Sequence, residues 1–177
     1  VGERIKVYVL SVEKTSKFPK ILISRRNEGL LRKLFEIEIP EITSGIIEIK
    51  SVAREAGSRA KVAVYSAVPN IDTVGACIGQ RGARIKNIVD ELNGERIDIV
   101  EWKPVVEEFV SAVLSPAVVS NVTILEDGTA RVLVEPSQLS LAIGKNGQNA
   151  RLAARLTGMR VDIKVIDSEA LKEEENE

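Results

Sequence analysis

The sequence predicts an α+β protein, an α/β sandwich made of two tandem copies of one unit. Three observations carry this. A short phrase occurs twice: Ile78-Gly79-Gln80-Arg81-Gly82 returns 65 residues later as Ile143-Gly144-Lys145-Asn146-Gly147. A strand-like run beginning Ala-basic-Val precedes each copy, at Ala60–Val64 and Ala130–Val134. An Arg-[Ile/Val]-Asp-Ile strand closes each copy, at Arg96–Ile99 and Arg160–Ile163.

The elements follow in chain order. Residues 1–26 fit neither unit. Arg4–Val12 and Ile21–Ser24 read as two strands around a Thr15–Pro19 turn, and two strands alone are marginal in water. The first unit opens with a helix, Glu28–Glu36, with Leu31, Leu34 and Phe35 inward and Asn27 as its cap. Ile46–Arg54 is the next strand. Ala60–Val64 follows with the alternation of a half-buried strand, and the stretch Tyr65–Asp72 is longer than its counterpart. A short apolar helix carries the chain into Gly79. Beyond the loop Ile85, Ile88, Val89 and Leu92 fall on one helical stripe, which ends at Asn93-Gly94.

The second unit repeats this order. Its first helix is Pro104–Leu114, with Pro104 in the first turn and Val106, Phe109, Val110 and Val113 as the apolar face. A strand from Val118 to Leu125 reaches a hairpin turn at Asp127-Gly128. After the loop, Leu152 and Leu156 carry the helix stripe and Gly158 ends it. Each unit is therefore helix, strand, strand, helix, Gly-x-x-G, helix, strand. The expected organisation is a β piece at 1–26, units at 27–102 and 103–167, and a disordered tail at 168–177.

Composition narrows the function. No run of apolar residues is long enough for a membrane span, and no secretory signal stands at the start. The single Cys77 makes no internal disulfide, which suits a reducing cytoplasm; it is expected to be a packed thiol. The absence of histidine removes His-dependent triads and most catalytic zinc sites. Net charge is −1, but the segment from Asp167 to Glu177 holds six acids against Lys172. The remaining body is mildly basic.

Glycines at a helix–loop–helix junction allow a sharp turn and a close approach by another backbone. The helix that follows offers unpaired N–H groups to an anion. A loop without acids, followed by basic residues, suits phosphate. Gly79, Gly82, Gly144 and Gly147 keep the loop clear. Arg81, Arg84 and Lys86 in one unit, and Lys145, Arg151 and Arg155 in the other, are the candidate phosphate contacts. Ile78, Ile85 and Ile143 are placed to floor a groove for bases. A plain helix corner and a solvated basic face are the competing readings, and the second copy weighs against both. Gly144-Lys145 also invites a nucleotide-binding loop, but Leu139 and Asn146 stand where that motif needs glycine and a hydroxyl.

The element order with its Gly-x-x-G loop resembles the type II KH domain, whose loop clamps four nucleotides. The match goes further. Glu48-Ile49-Lys50-Ser51-Val52-Ala53-Arg54-Glu55-Ala56-Gly57, Val74–Gly79, Gln138–Lys145 and Gly147-Gln148-Asn149-Ala150-Arg151-Leu152-Ala153 resemble the tandem KH region of the NusA family of bacterial transcription termination/antitermination factors. Residues 1–26 resemble the last strands of that family's OB-fold barrel, of the S-one type. The resemblance implies a non-enzymatic, cytoplasmic, monomeric protein without cofactor. It implies binding of single-stranded nascent RNA with RNA polymerase and other elongation factors, and it adds Gln80, Gln148 and Asn149 to the RNA surface. Aromatics at 3 % suit an aliphatic KH groove better than a stacking platform. A ribosome-associated or RNA-decay KH protein, or a KH-fold interaction scaffold, is the alternative.

Overall fold

The computed structural model describes residues 2–166. The expected tail, 168–177, lies outside them. The chain divides into two compact units, Val1–Glu101 and Trp102–Glu177.

In the first unit, Asn27 caps α1 (Glu28–Glu38), its Oδ1 accepting from the Gly29 N–H at 2.8 Å. A one-turn helix, α2 (Pro40–Thr43), follows at once, with Pro40 in its first turn. Then come β3 (Glu48–Glu55), β4 (Arg59–Tyr65), α3 (Thr73–Ile78), α4 (Ala83–Glu91) and β5 (Arg96–Glu101). The sheet order is β3-β4-β5, with β3/β4 antiparallel and β4/β5 parallel. Leu31, Phe35, Ile39, Ile47, Val62, Val64 and Ile88 form its core, with Cys77 among them.

The second unit has the same topology: α5 (Val106–Val113), then β6 (Asn121–Ile124), β7 (Ala130–Val134), α6 (Leu139–Ile143), α7 (Gln148–Thr157) and β8 (Val161–Val165), in sheet order β6-β7-β8. Val110, Val113, Leu114, Val132, Val134, Leu152 and Leu156 are buried. The hairpin turn is where the sequence puts it. The Gly128 N–H bonds Leu125 O and the Thr129 N–H bonds Asp127 Oδ1, both at 2.9 Å.

Some boundaries differ from expectation. Pro104 precedes α5, which starts at Val106, and Val106 faces solvent instead of the apolar core. The strand expected at 118–125 is shorter because Val118 and Val119 belong to the approach to it. Helix α2 was not expected. The Pro40 ring cannot continue the hydrogen-bond ladder of α1, so a separate turn starts there.

The register explains both repeat signals at once. In the parallel pair β4/β5, Lys61 stands opposite Asp98; in β7/β8, Arg131 stands opposite Asp162. The basic residue of Ala-basic-Val and the acid of Arg-x-Asp-Ile are thus neighbours across strands. Lys61 is fully buried, with Nζ 3.1 Å from Asp98 Oδ2; burial pushes its ammonium below the usual lysine range, against the pull of Asp98. Alternation had suggested a half-exposed strand, whereas Ala60–Val64 is buried throughout.

Within the first unit and ahead of α1, β1 (Tyr8–Glu13) and β2 (Lys20–Ser24) form an antiparallel ribbon. Val9, Leu10, Val12, Ile21, Leu22 and Ile23 are all exposed. A buried ion pair fastens its base. Arg54 Nε meets Glu95 Oε1 at 2.7 Å, with side-chain exposures of 4 % and 1 %. The same guanidinium bonds the carbonyls of Asn27 and Arg25 at 2.8 and 3.0 Å, and Glu95 Oε2 accepts from the Gly57 N–H at 2.9 Å.

Candidate nucleic-acid interface

Each loop joins two helices at a fixed angle. Gly79 has φ 76°, ψ 172° and Gly144 has φ 75°, ψ 171°. Arg81 and Asn146 have φ 52° with ψ 28° and 29°, and Gly82 and Gly147 have φ 74° and 72°. The two loops thus share one backbone. The first glycine's dihedrals are open only to glycine. Its pseudo-Cβ position is also taken: Arg84 Cγ lies 2.7 Å away at Gly79, and Asn149 Cβ lies 2.7 Å away at Gly144. The second glycine is needed for its positive φ. Its N–H closes the loop on the first glycine's carbonyl, at 3.0 Å in one unit and 3.1 Å in the other.

Gln80, Arg81, Lys145 and Asn146 all point outward and are exposed. Neither α4 nor α7 carries a side-chain cap or an acid in its first turn. The positive end of each helix is therefore left to an external anion. Beside the loops stand exposed aliphatics, Ile78 at 37 % and Ile143 at 39 %, and a groove in the first unit is lined by Gly75, Ala76, Gly79, Gln80, Ala83 and Arg84. Ile85 is only partly exposed and packs against the core. A phosphate cradle next to an apolar strip suits a single strand whose backbone is held and whose bases lie on aliphatic carbon.

The structure separates the expected contacts into two groups. Arg81 and Lys145 stand in the loops. Gln148 opens α7, and Arg151 donates to the carbonyl of Asn146, which puts its guanidinium at the loop. Lys86 is exposed and pairs with Asp90 on its own helix, a weak surface pair that a phosphate can replace. Arg155 is exposed one turn further along α7. Two residues require correction. Asn149 is 1 % exposed and donates inward to three carbonyls. Arg84 turns back to Glu41 and the Ala76 carbonyl. Both lie five residues after the first loop glycine, where the helix faces the protein.

Cys77 is buried, and burial pushes its thiol up to about 12, with the Glu41 and Asp72 charges adding to the shift. It is a packed thiol and no nucleophile. Among the described residues no cluster of three or more His, Cys, Asp or Glu is placed to hold a metal ion, and no helix is long and apolar enough to cross a membrane.

Comparison with known families decides the relationship. The NusA-like first KH domain family matches residues 25–102, and the NusA-like second KH domain family matches residues 106–171. The chain belongs to the NusA family. It is 55 % identical over 164 residues to the transcription termination/antitermination protein NusA of Halalkalibacterium halodurans, covering 92 % of this chain and 43 % of that one. The Bacillus subtilis NusA is 55 % identical over 163 residues, covering 92 % and 44 %. The Thermus thermophilus NusA is 51 % identical over 158 residues, covering 89 % and 41 %. The chain thus spans less than half the length of these NusA relatives. A crystal structure of APE1850 shares the fold, with a TM-score of 0.53 at 23 % identity over 76 % of this chain and 96 % of that one.

Proposed function

We propose that this chain binds single-stranded RNA through two Gly-x-x-G clefts. We read it as the tandem KH part of a transcription termination/antitermination factor acting on nascent RNA with RNA polymerase. The observation that carries this reading is the identical backbone of two exposed loops, each opening an uncapped helix beside an aliphatic strip. The chain contributes phosphate binding and strand positioning and no catalytic step. Lys145, Arg81, Arg151, Lys86 and Arg155 neutralise phosphates, with Gln80, Asn146 and Gln148 at the loop. Linked sites of modest strength exceed either alone by roughly 10²–10⁴.

Residues 27–102 and 103–167 are the two KH domains in this reading. The exposed apolar ribbon before them is the end of an OB-fold barrel, because strands with two bare apolar faces are what a sheet leaves when its neighbours are removed. The setting is cytoplasmic. The polymerase assignment is what the sequence resemblance to the family implies; affinity purification that recovers ribosomes in place of RNA polymerase would overturn it.

The decisive experiment replaces Lys145 and Asn146 together with Asp. Binding of an unstructured RNA should fall sharply while circular dichroism and melting stay unchanged. Unaltered affinity would sink the loop assignment. For wild type with about four phosphates held, log K against log[salt] should slope near −3, from roughly −0.7 per phosphate.

A further inference from the structure

Superposing the loops by their glycines puts Arg84 and Asn149 at one position. We propose that this position braces the loop, so that Arg84 with Glu41 in one unit, and Asn149 in the other, are positioning residues and not phosphate ligands. The proposal rests on the RNA-binding reading above.

In the second unit, Asn149 Nδ2 donates to Leu114 O at 3.0 Å, Ala142 O at 3.1 Å and Leu141 O at 3.3 Å. One amide thereby joins the end of α5, the last turn of α6 and the first turn of α7. In the first unit, Arg84 Nη1 donates to Ala76 O at 2.7 Å and to Glu41 Oε2 at 2.9 Å, joining α2, α3 and α4. Ala76 and Leu141 are themselves equivalent by the same alignment, so one carbonyl is held in both repeats. The stem of each bracing side chain also stands where the first glycine would carry a Cβ. Helices α3 and α6 have only six and five residues, too few to hold their own ends. The brace fixes the angle at which each hands the chain to the loop.

The chemistry of the two braces decides their role. A phosphate ligand has to be open to solvent at both positions, and Asn149 is buried; a brace needs only a donor aimed at that carbonyl. A buried neutral amide and a half-buried guanidinium share only the second property. Glu41 takes up the charge that the guanidinium adds.

The test uses the full chain, a labelled unstructured RNA oligonucleotide and a salt series. Glu41→Ala removes no cation and lies outside the loop; it should weaken binding roughly tenfold with the salt slope unchanged. Arg84→Met and Asn149→Ala should do the same, whereas Lys145→Asp lowers the slope. If Glu41→Ala tightens binding, or Arg84→Met lowers the slope by about 0.7, Arg84 contacts phosphate and the proposal falls. Hydrogen exchange at the Gly82 and Gly147 amides reads the brace without RNA. Faster exchange in the variants supports the brace even if wild type fails to bind RNA, which would overturn only the RNA reading. Unchanged exchange overturns the brace. Arg84 and Glu41 are partly exposed, so their variants keep the test alive should Asn149→Ala not fold.

Discussion

In the first repeat the left-handed position of the loop holds Arg81, and in the second it holds Asn146, at the same φ of 52°. Asn tolerates that conformation because its short side chain bonds locally; Arg does not, at a cost of roughly 1–2 kcal/mol. The braces differ in the same direction. The first repeat uses an ion pair, Arg84–Glu41, and the second a buried amide. At the start of the closing strand the first repeat has buried Glu95, where the second has Met159. The backbone of the loop is thus fixed by its glycines, while the groups that support it are exchangeable between ionic and neutral chemistry. The second repeat is the more settled loop, and the first accepts strain to place its one loop cation, Arg81, at the left-handed position, where the second carries Lys145 one place earlier.

The largest expected effect tests the ionic support. Glu95→Gln leaves Arg54 buried without its counter-charge and should destabilise the first unit by about 3–5 kcal/mol. Met159→Gln, at the matching place, should cost far less. Hydrogen exchange in β3–β5 against β6–β8 tells the two apart, and equal losses would break the comparison. Next comes the first glycine. Gly144→Ala drives a Cβ to 2.8 Å from the backbone nitrogen of Asn149, whereas Gly79→Ala meets only the Arg84 side chain. The former should cost about 2–3 kcal/mol and the latter less. Denaturant melts that rank them the other way would show that the loop supports are not as described.

The RNA comparison is smaller in energy but sharper. The paired Asp substitutions at Lys145 and Asn146 should weaken RNA binding more than the same pair at Gln80 and Arg81. Arg81→Asn should raise the stability of the first unit by ~0.5–1 kcal/mol while weakening RNA binding and lowering the salt slope by about 0.7. A stability gain without the slope change would remove Arg81 from the phosphate contacts. The smallest effect concerns Cys77. Its folded thiol titrates above its unfolded value, so folding gains nothing from it at neutral pH and loses stability as pH rises past about 8.5. At pH 8 iodoacetamide should label it only after unfolding; rapid labelling of the native chain would contradict its burial.

Much of this was legible in the sequence. Asn27 as a cap, the Asp127-Gly128 turn, the ends at Asn93-Gly94 and Gly158, and the order of elements apart from α2 all follow from local chemistry. What misled was side-chain direction on helices. Arg84 and Asn149 are polar and follow a loop, so they read as surface groups. Their distance of five from the first glycine turns them inward, and only the packed neighbours, Glu41 and Leu114, reveal what they meet. The exposed Val106 failed for the same reason: a helical stripe gives a face, but its edges are set by what packs there.

The sequence by itself determined that two copies of one unit exist, where each turns, and which loop residues face outward, because glycine conformations and hydrophobic period are local properties. Tertiary structure decided which polar groups are spent inside. Lys61 against Asp98, Arg54 against Glu95 and Asn149 against the Leu114 carbonyl are pairings between residues far apart in the chain. Whether a polar group is a ligand for RNA or a brace for the loop depends on such a partner, and no local pattern supplies it.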